Sequence, residues 1–406
     1  MRAAVVGGGL AGLAAALELV DAGHEVTLYE ARPTLGGKVQ TLPEREGDPQ
    51  PPPDNGQHIA LGAFEEYLSF LRRIGSGDRV DRRPLELVVF DDRARPSTVA
   101  YGVTPLLRYA HVPPRERLRI ASLLARFPRL VPGDETFGDF LRGHGQSDVA
   151  VERFWEVFIR PAVNLRVDEV QARVGWFTVV RGLRAGRRAS DLVLPAAPLG
   201  ELHGEAAGRA LRIAGGEIEL GARVDDLASL GADATVLALP PDEAARLLDE
   251  DWSWQYSPIV SVHLLFERRL LDAPMAALLR SHAHWVFDRG ALTGHPPERG
   301  QYLTVVSSGA PELLALRGRE LVDAIAGELT ARLGGAELLW SRVSREPEAT
   351  VAVRPGAEVP PLRRGDVVLA GAWTALPWPP TMESAVRSGR AAARALLAGS
   401  TTKLAA

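Results

Sequence analysis

Three glycines and one carboxylate near the start of the chain carry its clearest chemistry. Gly7, Gly9 and Gly12 fall in G-x-G-x-x-G spacing within GGGLAG, and Glu30 ends the run EVTLYE. Gly7 suits a tight turn, Gly9 lets the backbone approach a pyrophosphate, and Gly12 lets a helix pack closely on a strand. Leu10 and Ala11 would open that helix, where free amides and the positive dipole end attract phosphate. Glu30 can accept hydrogen bonds from a ribose diol. A second group follows directly: Ala31 and Arg32, then the pair Gly36-Gly37 with the cation Lys38. A third, DNGQH at residues 54–58, sets five polar or turn-forming residues behind a proline run. It is either a solvated turn or a segment whose polar groups have a buried partner.

The elements needed to position these groups are legible. AAVV (3–6) reads as a buried parallel strand, LAAALELVDAG as a helix ending near Gly23, and EVTLYE (25–30) as a second strand. Strand, glycine turn, helix, strand and acid together make a dinucleotide-binding unit. Glu18, Asp21 and the three glycines argue against reading the same opening as a secretory leader. Residues 43–53 are expected to be an exposed excursion. The stretch from 61 to 200 has mostly helical patterning, with strands at LELVVF and STVAY. A hairpin is expected over 214–227, with strands at 232–240, 259–266, 284–287 and 302–308. A helix is expected over 311–333, then a strand over 366–373 and a closing helix opening with Met382 and Glu383.

Composition bounds the function. The chain has 406 residues, 46% of them apolar, enough for two domains. Its formal charge of −4 gives no electrostatic case for nucleic acid. With no cysteine, disulfides, thiolate metal sites and a cysteine nucleophile are excluded, and a reducing compartment such as the cytoplasm is expected. No metal site and no membrane span is expected.

The Gly36-Gly37-Lys38 group resembles the second flavin-binding signature of the amine oxidase and phytoene desaturase superfamily, with Lys38 in place of the usual arginine. Lys keeps the charge but loses the bidentate fork. VVLAGAWTALPWPPTMESAVRSG (367–389) is similar to the closing flavin motif of the same superfamily, with Ala372 where an acid is usual. Within that superfamily, DNGQHIALGAFEEYLSFLRRIG, FWEVFIRPAVN and YSPIVSVHLLF resemble the hydroxysqualene dehydroxylase branch, the squalene-associated FAD-dependent desaturases.

The resemblance implies a mixed α/β chain: a Rossmann-type FAD-binding domain interleaved with an α+β substrate-binding domain. The first would comprise 1–65, 205–250 and 345–400. The second would comprise 66–204 and 251–344, leaving 401–406 as a tail. It implies FAD contacts from Gly371, Trp373, Met382 and Glu383, and from Val224 through its backbone. It also places Gly56, Gln57 and His58 beside the flavin. His58 is the candidate proton donor, with ordering of the flavin as its other possible role, and Asn164 is either a helix cap or a cavity residue. The implied substrate is a hydrophobic isoprenoid and the implied reaction the dehydroxylation of hydroxysqualene to squalene, within squalene and hopanoid synthesis and beside squalene-synthase-like enzymes. A carotenoid or phytoene desaturase, a flavin amine oxidase and a non-catalytic flavoprotein are the alternatives. Because isoprenoids partition into membranes, the basic amphipathic segment 104–132 is expected either to touch the inner face of the cytoplasmic membrane or to be a helix pair with a solvated basic face.

Overall fold

The computed structural model describes the backbone of residues 1–403 and the side chains of residues 1–398. Two sheets organise it. The first has six strands in the order Arg363–Arg364, Val367–Leu369, Ala234–Leu237, Arg2–Val6, Glu25–Glu30, Glu217–Leu220. All neighbours in it run parallel except the short hairpin at the Arg363–Arg364 edge. Its central strand is almost wholly apolar, as a strand covered on both faces must be. The helix Leu10–Asp21 covers one side, and the long closing helix Met382–Lys403 lies against it. Their approach is close: a Cβ added at Gly389 would overlap the carbonyl of Ala11.

The second sheet has seven strands, in the order Leu338–Val351, Tyr256–Phe266, Gln301–Ser308, Trp285–Asp288, Met275–Leu278, Glu86–Phe90, Pro96–Ala100. Period-two alternation sorts its residues. Val260, Val262 and Leu264 pack with Leu303, Val305, Ile325 and Leu329 beneath the helix Gly318–Leu333. Ile259 and Ser261 alternate with them and face the other way, as do Val306 and Ser308, toward a cavity. A three-stranded sheet, Ala60–Leu61, Leu192–Pro195 and Val80–Arg83, joins the two parts.

Several expectations are corrected. No hairpin forms over 214–227: Glu217–Leu220 pairs in parallel with Glu25–Glu30, and residues 221–227 are turned. The strand expected over 366–373 is only Val367–Leu369, and the helix expected from 311 starts at Gly318 after a separate turn, Pro311–Leu314. The boundary expected at 345 falls inside Leu338–Val351, which pairs with Tyr256–Phe266 along its length. That expected at 65 falls at the start of the helix Glu65–Arg73, whose Tyr67, Phe70 and Leu71 belong to the first core. The expected tail begins inside the closing helix, and residues 404–406 lie outside the described residues.

The excursion at 43–53 is exposed only in part. Residues 43–47 are open, but Asp48 forms a buried ion pair with Arg342, whose other nitrogen donates to Pro43 O at 2.9 Å. Asp54, at its end, pairs with Arg289. The proline run is thus a strap docked on the second sheet.

Candidate active site

The carboxyl ends of the parallel strands, the segment 54–58 and the open face of the second sheet enclose one cavity of about 480 Å³. Ligands of open parallel sheets bind at such strand ends. Gly7, Gly9, Leu10 and Ala11 line it on one side; Gly371, Trp373 and Met382, from the far end of the chain, also line it. The helix Leu10–Asp21 begins with Gly9 as its N-cap and has no side-chain cap. Leu10 and Ala11, in the first turn of this helix, line the cavity, so the helix start turns its positive dipole end toward it.

Each remaining group has a definite place. Glu30 lines the cavity with its carboxylate fixed by two amides, Gly8 N to Oε2 at 2.7 Å and Arg32 N to Oε1 at 2.8 Å. Gly36 N donates to Gly8 O at 2.9 Å, joining the two glycine loops edge to edge. Gly36, Gly37, Lys38 and Arg32 all line the cavity. The Lys38 amine donates to the carbonyl of Glu348 and, at 3.0 Å, to that of Ala349. Burial pushes its pKa down, against the opposing pull of Glu346 and Glu348.

The DNGQH segment divides in two. Asp54 and Asn55 are buried struts. Asp54 Oδ1 accepts from Thr41 Oγ1 at 2.7 Å and Leu199 N at 3.0 Å, while Oδ2 meets Arg289. Asn55 donates to Glu346 Oε1 at 3.0 Å and accepts from Ser344 Oγ at 2.6 Å. Gly56, Gln57 and His58 then line the cavity. Gly56 has φ +82°, and a Cβ there would sit 2.8 Å from Ser261 Oγ, so only glycine fits without strain. His58 Nδ1 is buried with no hydrogen-bond partner. Burial pushes the His58 pKa down, with the Asp54 charge opposing, so its imidazole is neutral at pH 7.

Four expected cofactor residues stand outside the cavity lining. Gly12 packs against the first strand: a Cβ on it would overlap the Gly7 carbonyl. Ala31 does not line the cavity. Val224 sits half-buried in the turned stretch after Gly221. Glu383 is fully buried, but its oxygens accept from Glu66 N at 3.3 Å and Tyr67 N at 2.8 Å, capping the helix Glu65–Arg73, and Arg387 pairs with it at 2.7 Å. It ties the closing helix to another helix start. Asn164 both ends the helix Glu156–Val163, in left-handed conformation, and lines the cavity.

Sequence reasoning missed two features. Tyr256 lines the cavity; burial first, then the Asp242 carboxylate beside its hydroxyl, pushes its pKa up. Trp285 and Phe287 project from one strand face into the lining, rings 6.1 Å apart and nearly coplanar in orientation at 15°. The expected residue Trp373 donates to Leu239 O at 3.1 Å and packs against Trp252 and Trp254. Alternating aromatics in HWVF are a local signal for the second of these; the first, Tyr256, depends on long-range contacts.

Residues 10–397 match the family described as flavin containing amine oxidoreductase. The chain belongs to that family. Its members are FAD-dependent oxidoreductases, and FAD is the cofactor here. The residues present fit it: a helix start without a side-chain cap for the pyrophosphate, an oriented carboxylate at Glu30 for a ribose, and a second helix start at Met382 lining the same cavity. Relatives within the family include a 15-cis-phytoene desaturase of an Oncidium hybrid, 26% identical and covering 98% of this chain and 78% of that protein. The hydroxysqualene dehydroxylase of Rhodopseudomonas palustris is 28% identical over 97% of this chain and 98% of its own length. The fold is shared with the cyclohexylamine oxidase of Brevibacterium oxydans, at TM-score 0.75 and 17% identity, over 98% and 99% of the two chains.

Proposed function

We propose that this flavoenzyme acts on a long isoprenoid and reductively removes the hydroxyl of hydroxysqualene to give squalene. The cavity wall on the side of the second sheet carries this reading. Ile259, Trp285, Phe287 and Val306 line it, facing Phe64 and Pro161. Such a surface suits a hydrocarbon chain. The carboxylates in the lining are already engaged: Glu30 by two amides and Glu346 by Asn55. An amine is therefore the poorer substrate. Likeness to the Rhodopseudomonas palustris hydroxysqualene dehydroxylase supports the specific reaction.

Bound reduced flavin supplies a hydride equivalent. Replacing the hydroxyl by that hydride would release water and so would need one proton at the leaving oxygen. The chain must hold the substrate, exclude water and place the proton. His58, neutral because it is buried, is a poor acid and a better orienting group. Tyr256 lines the cavity and keeps its proton at pH 7, held there by burial and the Asp242 carboxylate, so it is the better donor to the leaving oxygen. Tyr256→Phe should lower kcat by about 10²-fold or more, the usual weight of a general acid, while flavin content stays unchanged.

The deciding experiment is anaerobic incubation of the reduced holoenzyme with hydroxysqualene, scored for squalene. A second reading, oxidative desaturation of a carotenoid precursor, is favoured by the likeness to phytoene desaturases. No squalene, together with phytoene converted to a more unsaturated product by the oxidised enzyme, would replace the first reading with the second.

A further inference from the structure

The helices Val103–Arg108 and Pro114–Arg126 and the turn Phe127–Arg129 carry two apolar faces. Leu106, Ile120, Leu123 and Phe127 point inward and are buried. A helix pair that only roofs a core needs no more than this stripe. Yet Val103 (61% exposed), Leu107 (39%), Leu118 (62%) and Val131 (90%) point outward. They are four of the nine exposed large hydrophobic residues among the described residues, gathered in one short stretch, which a merely solvated basic face does not explain.

Arginines surround them. Arg108, Arg115, Arg119, Arg126 and Arg129 are exposed. Glu116, the sole acid between 103 and 132, is engaged by Arg119 and Ser147, each at 2.8 Å. On the outer face of Pro114–Arg126, Arg115, Leu118, Arg119, Ser122 and Arg126 are all exposed, interleaving cation and hydrocarbon. Beside Val131 lies a shallow groove of about 270 Å³, lined by Leu130, Val131, Pro132, Arg173 and Trp176. The indole of Trp176 donates to Phe127 O at 2.9 Å, and Arg173 is exposed beside it. Tryptophan with arginine at a rim of exposed hydrocarbon is the composition of a membrane interface.

We propose that this face docks on an anionic lipid bilayer, with Leu118, Val131 and their neighbours entering the headgroup–acyl boundary and the arginines meeting lipid phosphates. Charge complementarity selects this occupant. A second copy of the chain, meeting the face across a two-fold axis, would oppose arginine to arginine. A polyanion without an apolar phase would leave the outward Leu and Val unburied. The inference does not depend on the substrate proposed above, so failure of the squalene assay leaves it standing.

Flotation of the holoenzyme with phosphatidylcholine vesicles, with and without phosphatidylglycerol, tests it. The protein should float with the phosphatidylglycerol vesicles and be released by high salt. Arg115→Glu/Arg126→Glu should weaken binding by roughly tenfold or more, since each cation near such a surface contributes severalfold. Leu118→Ser/Val131→Ser should also detach the protein. None of these four residues lines the cavity, so flavin content and circular dichroism should stay as in the parent. No flotation, or flotation that neither variant changes, overturns the proposal. So does self-association that the arginine variant abolishes while no form of the protein binds vesicles.

Discussion

Asp54→Asn should destabilise this protein far more than its one-atom change suggests. Asp54 and Arg289 are 2% and 1% exposed at their side chains, so both charges have left water. Asn at position 54 keeps an oxygen for Leu199 N and Thr41 Oγ1, but turns an NH2 toward Arg289, so the charge and its acceptor are both lost. The Arg289 guanidinium, fixed by Pro52 O at 2.6 Å and lying over the Tyr302 ring, cannot swing to solvent. An uncompensated buried charge of this kind costs about 3–5 kcal/mol. At about 2 °C per kcal/mol for a large domain, the midpoint should fall by about 6–10 °C. Removing both charges is different, because a neutral pair of similar volume is often nearly neutral in stability. Asp54→Asn/Arg289→Met should therefore regain more than half of the loss. The assay is thermal unfolding followed by near-ultraviolet circular dichroism and by release of flavin fluorescence, run on both single variants and the double. Gly56–His58 begin two residues after Asp54, so flavin release should track the unfolding. Single variants within about 1 kcal/mol of the parent, or losses that simply add in the double, would refute the pair as the anchor of this segment.

Gly12→Val should yield protein that retains no flavin after purification, because its Cβ would overlap the Gly7 carbonyl and push the helix start off the strand; absorbance near 450 nm against protein content measures it. Gly56→Ala should weaken flavin binding and lower stability by about 1–2 kcal/mol from the left-handed backbone alone; pairing it with Ser261→Ala should recover the part due to the 2.8 Å contact and no more. Acid should destabilise the fold below pH 6.5. Burial holds His203 and His263 neutral in the native state, with pKa values pushed down to about 3, His263 further by Arg289 and Arg342. The unfolded chain binds these protons first, so stability is present above 6.5 and lost as pH falls toward 3. By pH 5 the loss is about 2 kcal/mol for each histidine. Urea midpoints across pH 5–7 should show it, and His203→Gln should flatten the acid limb.

The dinucleotide-binding half was legible because its signals are local. A glycine whose missing Cβ admits a neighbouring carbonyl, a helix start without a side-chain cap and a carboxylate at a strand end are properties of a few adjacent residues, Gly7 to Glu30. The same holds for the strand Tyr256–Phe266, whose apolar alternation survives inspection of eleven residues. The edge strand Leu338–Val351 was not legible: arginines, glutamates and Pro347 dilute its pattern, as an edge tolerates. The expected hairpin at 214–227 failed because Glu217–Leu220 finds its partner in Glu25–Glu30, far earlier in the chain, and not in its own neighbour.

By itself, the sequence determined the glycine turn between the first strand and helix, the carboxylate at Glu30, and the presence of a polar segment at 54–58. Tertiary structure alone decided what that segment is for. Prolines and charges spell a solvated loop when read in order, and only Arg289 and Arg342, brought from more than two hundred residues away, turn it into a buried strap. It also decided that Glu383 caps a second helix, that Tyr256 reaches the cavity and that the 103–131 helices face solvent with hydrocarbon. The reason is the same in each case: burial and charge pairing are set by whichever residues the fold brings opposite, and no local spacing encodes them.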